Sequence, residues 1–317
     1  MAKLALDEVL TSGYKKYERE ILAMPIVGIE DSLAHLTLRK GIQGSLVVSQ
    51  SRSGAQIRPY RSSKDATATS VIEARELVTY LGDVVEEFDI YEIYSSCFQE
   101  PLTSEGDKTK IVKALALEMS LQCSENLNEA IFLGKRNATG NTTMDLFDGY
   151  QTIIAADTTA GKISTEKGNL IALGAINEAN VGDQLLKLYR SLNPALKKAK
   201  NLKMYIPTAI KEMYEDWFAA NFQSAAYNTK FEKYVLHGSN GHCELVDLVG
   251  MDTSCNLIVT TKNMMLVGCD QSGTREEVKI RLADNPKMVQ FFMMMFFGVQ
   301  IRSIHPKYFK TATYTIE

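Results

Sequence analysis

A chain of 317 residues can bury a substantial core without disulfide bonds or structural metal ions, and its 45% apolar and 23% charged residues describe an ordinary globular protein. The formal net charge of -3 at pH 7 excludes a dedicated, strongly basic nucleic-acid-binding domain. The cysteines are odd in number and form no Cys-x-x-Cys pair, which favours free thiols in a reducing cytosol.

The first forty residues are predicted to form an arm more than a domain. Their apolar residues are spaced irregularly between charges, with Gly13 and Pro25 to Gly28 as the main turn signals. Asp7 and Glu8 interrupt the N-terminus before the hydrophobic region of a signal peptide can develop. Nothing in this segment indicates secretion.

Two neighbouring segments carry opposite charge. No Asp or Glu occurs from Ser32 to Lys64, whereas from Glu73 to Asp107 the many acidic residues are opposed only by Arg75. The alternative is that both segments are solvated faces whose charge imbalance arose by chance, but the length of both runs favours pairing between them. The residues predicted to meet across a boundary between subunits are basic Arg52, Arg58, Arg61 and Lys64 and acidic Glu86, Glu87, Asp89 and Glu92.

A long amphipathic helix is predicted next, over residues 108–133. Ser104-x-x-Asp107 resembles a capping box, and Gly134 ends the pattern. A three-to-four spacing is kept throughout by the apolar face, which consists of Ile111, Leu115, Met119, Gln122 or Cys123, Leu127, Ala130 and Ile131. At 1.5 Å per residue such a helix spans roughly 39 Å, which is unusually long for a globular domain.

The rest of the chain predicts an α+β fold, because helices lie between strands without repeated strand-helix units. One helix is predicted from Asn180 to a stop at Pro194, and a strand before Pro207 leads into another helix with Trp217 as a core anchor. Antiparallel hairpins are then predicted from the strands Glu244 to Val249, Asn256 to Thr261 and Met264 to Val267. The apolar run from Met288 to Ile301 is too short for a membrane helix and is predicted to be a buried strand or helix.

No motif of enzymatic chemistry is recognisable. Phosphate-binding glycine loops and a Gly-x-Ser-x-Gly elbow are absent, so no catalytic residue or cofactor is predicted. A zinc site could be assembled from His237, His242, Cys243 and Cys255. However, Ser239-Asn240-Gly241 between the histidines is typical of a hairpin turn, and lone strand cysteines are usually buried, so no metal site is predicted.

Several local phrases resemble the major capsid proteins of tailed bacteriophages of the Hong Kong 97 type, in particular a group from Bacteroides-type phages. These phrases are residues 126–134, 146–154, 246–251, 257–264, 267–270 and 297–301. The resemblance extends roughly from Gly41 to Phe309.

The resemblance implies a sequence of five regions. These are an N-terminal arm (1–41), an extended loop (42–75), a peripheral domain (76–156) with the spine helix (108–133), an axial domain (157–240), and a β-rich return through the axial to the peripheral domain (241–317). Some members weld their subunits through a loop Lys, but only Lys64 lies near the loop and no partner matches, so no such bond is predicted.

The implied function is structural and not enzymatic. The resemblance predicts a subunit that assembles with itself as hexamers and pentamers into an icosahedral shell, in the host bacterial cytoplasm, and ends in the virion capsid. Its implied partners are a separate scaffolding protein, a portal and packaged double-stranded DNA, which it would touch weakly; no membrane is implied. The alternatives are an encapsulin-like cellular compartment, an unrecognised soluble enzyme, and a tail or head-decoration protein.

Overall fold

The computed structural model describes residues 29–53, 57, 59–60, 70–89, 109–222, 235–270, 277–282 and 288–317. Within these residues the helices are α1 (Glu30–His35), α2 (Thr109–Leu133), α3 (Tyr150–Thr159), α4 (Val181–Arg190), α5 (Pro194–Lys197) and α6 (Thr208–Asn221). The strands are β1 (Thr37–Arg39), β2 (Ser45–Ser53), β3 (Ser70–Val78), β4 (Tyr80–Asp89), β5 (Leu170–Ile176), β6 (Leu202–Ile206), β7 (Cys243–Asp247), β8 (Leu257–Thr261), β9 (Met265–Cys269), β10 (Glu277–Leu282), β11 (Met288–Ile301) and β12 (Phe309–Ile316).

The predicted α+β class is confirmed, with the chain divided into two compact units. The first unit combines Met1–Gly44, Thr79–Thr152 and Val267–Val299, and the second combines Ser45–Val78, Ile153–Leu266 and Gln300–Glu317. The five-region division expected from the resemblance stays a prediction.

Strand β11 organises the sheet of the first unit. The predicted buried run from Met288 to Ile301 is a strand of 14 residues, paired with β10 from Val289 to Met294 and with β4 from Met288 to Phe297. Alternate residues from Val289 to Met295 are buried, as expected when one face of a sheet is covered. Pairing on both edges satisfies the backbone of this apolar run, which removes its tendency to aggregate.

The predicted spine helix is confirmed as α2, which begins at Thr109 and ends at Leu133. Of its predicted apolar face, Met119, Leu127, Ala130 and Ile131 are buried, Cys123 is half-buried and Gln122 is exposed. The side chains of Ile111 and Leu115 lie outside the described part of the chain. The buried face also contains two serines, and the hydroxyl of Ser124 donates to the carbonyl of Ser120 at 2.8 Å.

Two glycines fix the chain after α2. A Cβ at Gly134 or Gly149 would lie 2.6 Å from backbone oxygens of the neighbouring turn, so neither position has room for a side chain. The amide of Gly149 donates to the carbonyl of Gly134 at 2.8 Å, and the rings of Phe132 and Tyr150 pack at 5.5 Å. The glycines therefore allow the end of α2 and the start of α3 to pack backbone against backbone.

The second unit contains a five-stranded sheet in the order β5-β12-β8-β6-β7. The predicted antiparallel hairpin between β7 and β8 is wrong, because β6 lies between them, parallel to β7 and antiparallel to β8. The hairpin predicted between β8 and β9 is also wrong, because β9 belongs to the other sheet. The physical reason is burial: all five residues of β6 are buried, and such a strand is stable only with partners on both edges.

Helices α4 and α6 cover this sheet with an apolar layer that includes Leu185, Leu188, Ile210 and Tyr214. The predicted anchor Trp217 is only partly buried, but it packs so closely on α4 that a Cβ at Gly182 would lie 2.3 Å from its ring. Helix α4 ends at Arg190, before the predicted stop at Pro194, and Pro194 instead opens α5.

Candidate assembly surface

Strands β2 and β3 form a two-stranded antiparallel hairpin that pairs from Ser45↔Val78 to Ser53↔Ser70. Its strands overlap both ends of the region predicted as an extended loop, which stays a prediction. Leu46, Val47 and Ile72 are exposed on it, Val47 at 65% and Ile72 at 69%. Exposed apolar side chains on such a ribbon are available for contact with another molecule.

The hairpin leads directly into β4 through Thr79, where the chain changes partner strands. The hydroxyl of Thr79 donates to the carbonyl of Ile42 at 3.0 Å and accepts from the amide of Gly44 at 3.0 Å. The Thr79 amide donates to the Gly44 carbonyl at 2.6 Å. These bonds hold the buried Thr79 against Ile42 and Gly44 of its own compact unit.

Of the predicted basic residues, the structure describes the position of only one. Arg52 lies on β2 opposite Val71, while Arg58, Arg61 and Lys64 lie outside the described residues. Ile57 and Tyr60, from the same segment, are fully exposed. The sequence between β2 and β3 therefore combines exposed apolar side chains with three basic residues.

The predicted acidic residues lie on β4, with the exception of Glu92, which is outside the described residues. Successive strand residues point to opposite faces, so Glu86 and Glu87 are on different sides of the sheet. Glu86 faces α2, where it acts on the thiol of Cys123, whereas Glu87 accepts a hydrogen bond from Gln290 at 3.1 Å on the outer face. Asp89 ends the strand and is half-buried.

The outer face of β4 is both apolar and acidic. Leu81 and Val85 are exposed there, on the same side as Asp83 and Glu87. The paired β11 residues on that side, Phe292 and Met294, are only half-buried. This combination, which we name the β4 outer face, is an exposed apolar strip with carboxylates along it.

A groove of about 790 Å³ lies on the other side of β4, between β4, α2 and residues 136–146. Its lining includes Met119, Leu127, Met293 and Met295. Burial, with the charge of Glu86 as a smaller cause, raises the pKa of the Cys123 thiol in the groove to about 11. The thiol is therefore protonated at neutral pH and is a poor nucleophile.

The segment from Arg136 to Leu146 forms one wall of this groove. Asp145 accepts hydrogen bonds from the hydroxyl of Thr142 at 2.6 Å and from its amide at 3.2 Å, and these bonds lower the pKa of Asp145. The guanidinium of Arg136 lies 4.5 Å from the ring centre of Tyr80. The backbone amide of Arg136 donates to the carboxylate of Asp148 at 2.8 Å. Side-chain bonds thus order a loop that has little regular structure.

A basic surface around the end of α4 was missed by the sequence analysis. Its exposed members are Lys187, Arg190, Lys198 and Lys200, and none forms a salt bridge with a described residue. Lys197 and Lys310 donate to the carbonyls of Arg190 and Ser191, and burial, together with Lys197, lowers the pKa of Lys310. The signal was available, because Gln184 to Lys211 contains seven Lys and Arg and no Asp or Glu.

The residues considered for a zinc site do not come together in the described part of the chain. The His237 ring lies 4.4 Å from that of Phe222, and Cys243 is buried on β7. Burial raises the pKa of the Cys243 thiol to about 12 and that of Cys255 to about 11. Among the described residues, no three His, Cys, Asp or Glu side chains are close enough to hold a metal ion.

The predicted turn at Ser239-Asn240-Gly241 is confirmed, with Asn240 and Gly241 in the left-handed region and Val235 bridging Glu244. In the described part of the chain, no helix has the length and apolar character needed to span a membrane.

Comparison with known proteins gives matches by structure only. No protein-family model matches the chain, and no curated protein matches its sequence. The satellite phage P4 procapsid structure, which includes the size determination (Sid) protein, is similar at a TM-score of 0.55 and 9% identity, over 93% of this chain and 91% of that one. The capsid of an empty GTA particle is similar at a TM-score of 0.57 and 12% identity, over 89% and 88%.

A structure from Mycobacterium phage Adephagia adds a third match, with a TM-score of 0.53 and 15% identity over 90% of each chain. Likeness over nine-tenths of both chains at such low identity concerns the whole architecture and not a shared motif. The chain therefore has the fold of phage capsid proteins, the Hong Kong 97 type that its sequence resembles.

Proposed function

We propose that this protein is a structural shell subunit that assembles with itself into an icosahedral phage capsid around the genome. The observation that carries the proposal is the capsid fold over nearly the whole chain, together with a two-stranded hairpin whose apolar side chains are exposed. A subunit that must contact other copies has a use for such a hairpin, because exposed apolar side chains mark surfaces that bind other proteins.

The principal contact in this proposal joins the hairpin tip of one copy to the β4 strand of the next. The tip carries Ile57 and Tyr60 beside three basic residues, and the β4 outer face carries Leu81 and Val85 beside acidic residues. Apolar area would supply affinity, while the opposite charges would supply register and association rate. Of the eight charged residues predicted to meet, Glu87 and Asp89 fit this contact best, because Glu86 lies on the opposite face.

Assembly of a closed shell requires contacts that are individually weak, so that misplaced subunits can dissociate before closure. Charge pairs at an exposed surface meet this requirement, because each contributes at most about 1 kcal/mol and is screened by salt. Assembly should therefore be sensitive to ionic strength. Hexamers and pentamers of this chain, a separate scaffolding protein and a portal complete the proposed machinery in the host bacterial cytoplasm.

The basic surface around the end of α4 is the proposed contact for packaged DNA. Its four exposed cations have no acidic partner among the described residues, so phosphate groups can neutralise them without displacing an internal salt bridge. Such contacts are independent of base sequence and weaken steeply with salt. Weak and reversible contact is what a container for DNA needs.

Electron microscopy of the purified protein tests the proposed function. Hollow particles of uniform diameter, or capsomers that convert to particles when a polyanion or crowding agent is added, are expected. A monodisperse monomer under all of these conditions, up to millimolar concentration, would contradict the proposal. Particles that copurify with protein cargo and no DNA would instead favour the encapsulin-like alternative.

A further inference from the structure

The base of the β2–β3 hairpin is attached by a polar face. Along β3, Glu73 and Arg75 are half-buried and Leu77 is buried, while Ile72, Ala74 and Glu76 between them are exposed. This period of two means that one face of the strand contacts the body of its compact unit. Only Leu77 of the three inward residues is apolar.

Arg75 makes the central contact on this face. Its Nη2 atom lies 2.7 Å from Oδ2 of Asp157 on α3, and the two side chains are 15% and 9% exposed. The same guanidinium donates to Oε1 of Gln300, at 3.0 Å from Nη2 and 3.3 Å from Nε. The side-chain amide of Gln300 in turn donates to the backbone carbonyl of Glu76 at 2.7 Å. Gln300 therefore binds β3 at two successive residues, Arg75 and Glu76.

Two further polar contacts continue the attachment toward the tip. The guanidinium of Arg302 donates to the carbonyl of Ser49 on β2 at 3.3 and 3.4 Å. The hydroxyl of Ser303 lies 3.5 Å from a carboxylate oxygen of Glu73. Both strands of the hairpin are thus bound to the segment from Gln300 to Ser303, which comprises the last two residues of β11 and the two that follow it.

We propose that Arg75 is the positioning residue of the hairpin and fixes the direction in which the hairpin projects. A guanidinium that bridges a carboxylate and an amide holds a defined angle, because its donors form a rigid planar fork. An attachment made only of apolar contacts would allow the hairpin to slide on its unit, because the hydrophobic effect is non-directional. The Arg75–Asp157–Gln300 cluster therefore sets the geometry of the contact that the hairpin makes.

The consequence for a shell rests on the proposed function. If the hairpin tip reaches a neighbouring copy, a small change of angle at its base is amplified along the ribbon, which rises about 3.4 Å per residue. Subunits with a loosened base would still bind neighbours but at variable angles. The predicted result is particles of mixed diameter in place of one size.

Hydrogen exchange on the unassembled subunit tests the inference without requiring a shell. Arg75→Met removes the charge and keeps most of the side chain, and Asp157→Asn removes the partner charge. In both variants, exchange protection of residues 45–53 and 70–78 should fall by about tenfold while that of β6 and β8 stays unchanged. Arg75→Lys keeps the charge without the fork and should restore part of the protection.

A matched control is Lys211→Met, which removes another salt bridge of the same compact unit. Lys211 lies 2.5 Å from Asp247, its side chain is 15% exposed like that of Arg75, and it is far from the hairpin in sequence. Unchanged hairpin protection in Arg75→Met, or an equal loss in Lys211→Met, would overturn the inference. If wild-type protein forms no particles while the exchange results are as expected, the proposed function fails and the positioning role of Arg75 remains.

Discussion

The β2–β3 hairpin and the sheet that contains β6 and β8 belong to one compact unit, yet they are held by opposite kinds of contact. The apolar side chains of the sheet are buried, and those of Met204, Ile206, Leu257 and Val259 are fully buried. The hairpin exposes apolar residues and is attached mainly by polar bonds. Stability of this unit therefore resides in the sheet, and the hairpin is available for contact with another molecule.

The largest expected effect comes from a matched pair of leucines. Leu257→Ala in the sheet should lower the free energy of unfolding by about 3 kcal/mol, because it leaves a cavity at a fully buried position. Leu46→Ala on the hairpin should change it by less than about 0.5 kcal/mol, because Leu46 is already exposed. Urea unfolding followed by circular dichroism measures both.

If Leu46→Ala were as destabilising as Leu257→Ala, the hairpin would contribute to the stability of the subunit as much as the sheet does. If Leu46→Ala also reduced the yield of particles, Leu46 would contribute to contacts in the shell and not to the stability of the subunit.

The charge reversal of Arg58→Glu with Arg61→Glu comes next. It should leave the melting temperature of the subunit nearly unchanged and abolish or misdirect assembly, because the tip would then repel the acidic β4 outer face. Scanning calorimetry and electron microscopy of the same preparation give the two readouts. The control is Lys40→Glu with Lys307→Glu, which changes net charge equally at exposed sites off the hairpin. Normal particles from the Arg58 and Arg61 variant would refute the contact.

A smaller effect is expected at the basic surface. Replacing Lys187, Arg190, Lys198 and Lys200 by Ala should reduce the magnitude of the slope of log affinity for DNA against log salt by about 3.6, since each of the four phosphate contacts contributes about 0.9. Fluorescence anisotropy with a random-sequence duplex measures the slope. The matched control replaces four exposed lysines elsewhere, Lys40, Lys135, Lys167 and Lys307, and an equal change in that control would show that only net charge matters.

The elements with a long local signal were predictable from the sequence. Helix α2 was predicted within one residue of its observed start, because its apolar spacing is sustained over 25 residues and Gly134 ends it. The run from Met288 to Ile301 was identified as buried, but strand and helix could not be distinguished, since every residue type in it fits both. Pairing with the neighbouring β10 and with the distant β4 decides the matter, and the pairing with β4 is long-range information.

The pairing of β7 was not predictable, because β6 enters the sheet from more than thirty residues earlier in the chain. The charge reversal on which the candidate site depends could be seen in the sequence, and so could Arg75 as the one basic residue of an acidic segment. Its partners could not be inferred, because Asp157 and Gln300 are 82 and 225 residues away in the chain. That Glu86 and Glu87 point apart could be expected from the sequence, because adjacent residues on a strand or a helix do so, but which of them faces α2 could not.

The most direct test of the central claim is a cryo-electron microscopy map of the assembled particle, fitted with this chain. We expect residues 54–69 of one subunit to lie against the β4 outer face of its neighbour, with Arg58 or Arg61 within salt-bridge distance of Glu87 or Asp89. A hairpin that folds back onto its own subunit, or that points into solvent in every copy, would contradict it.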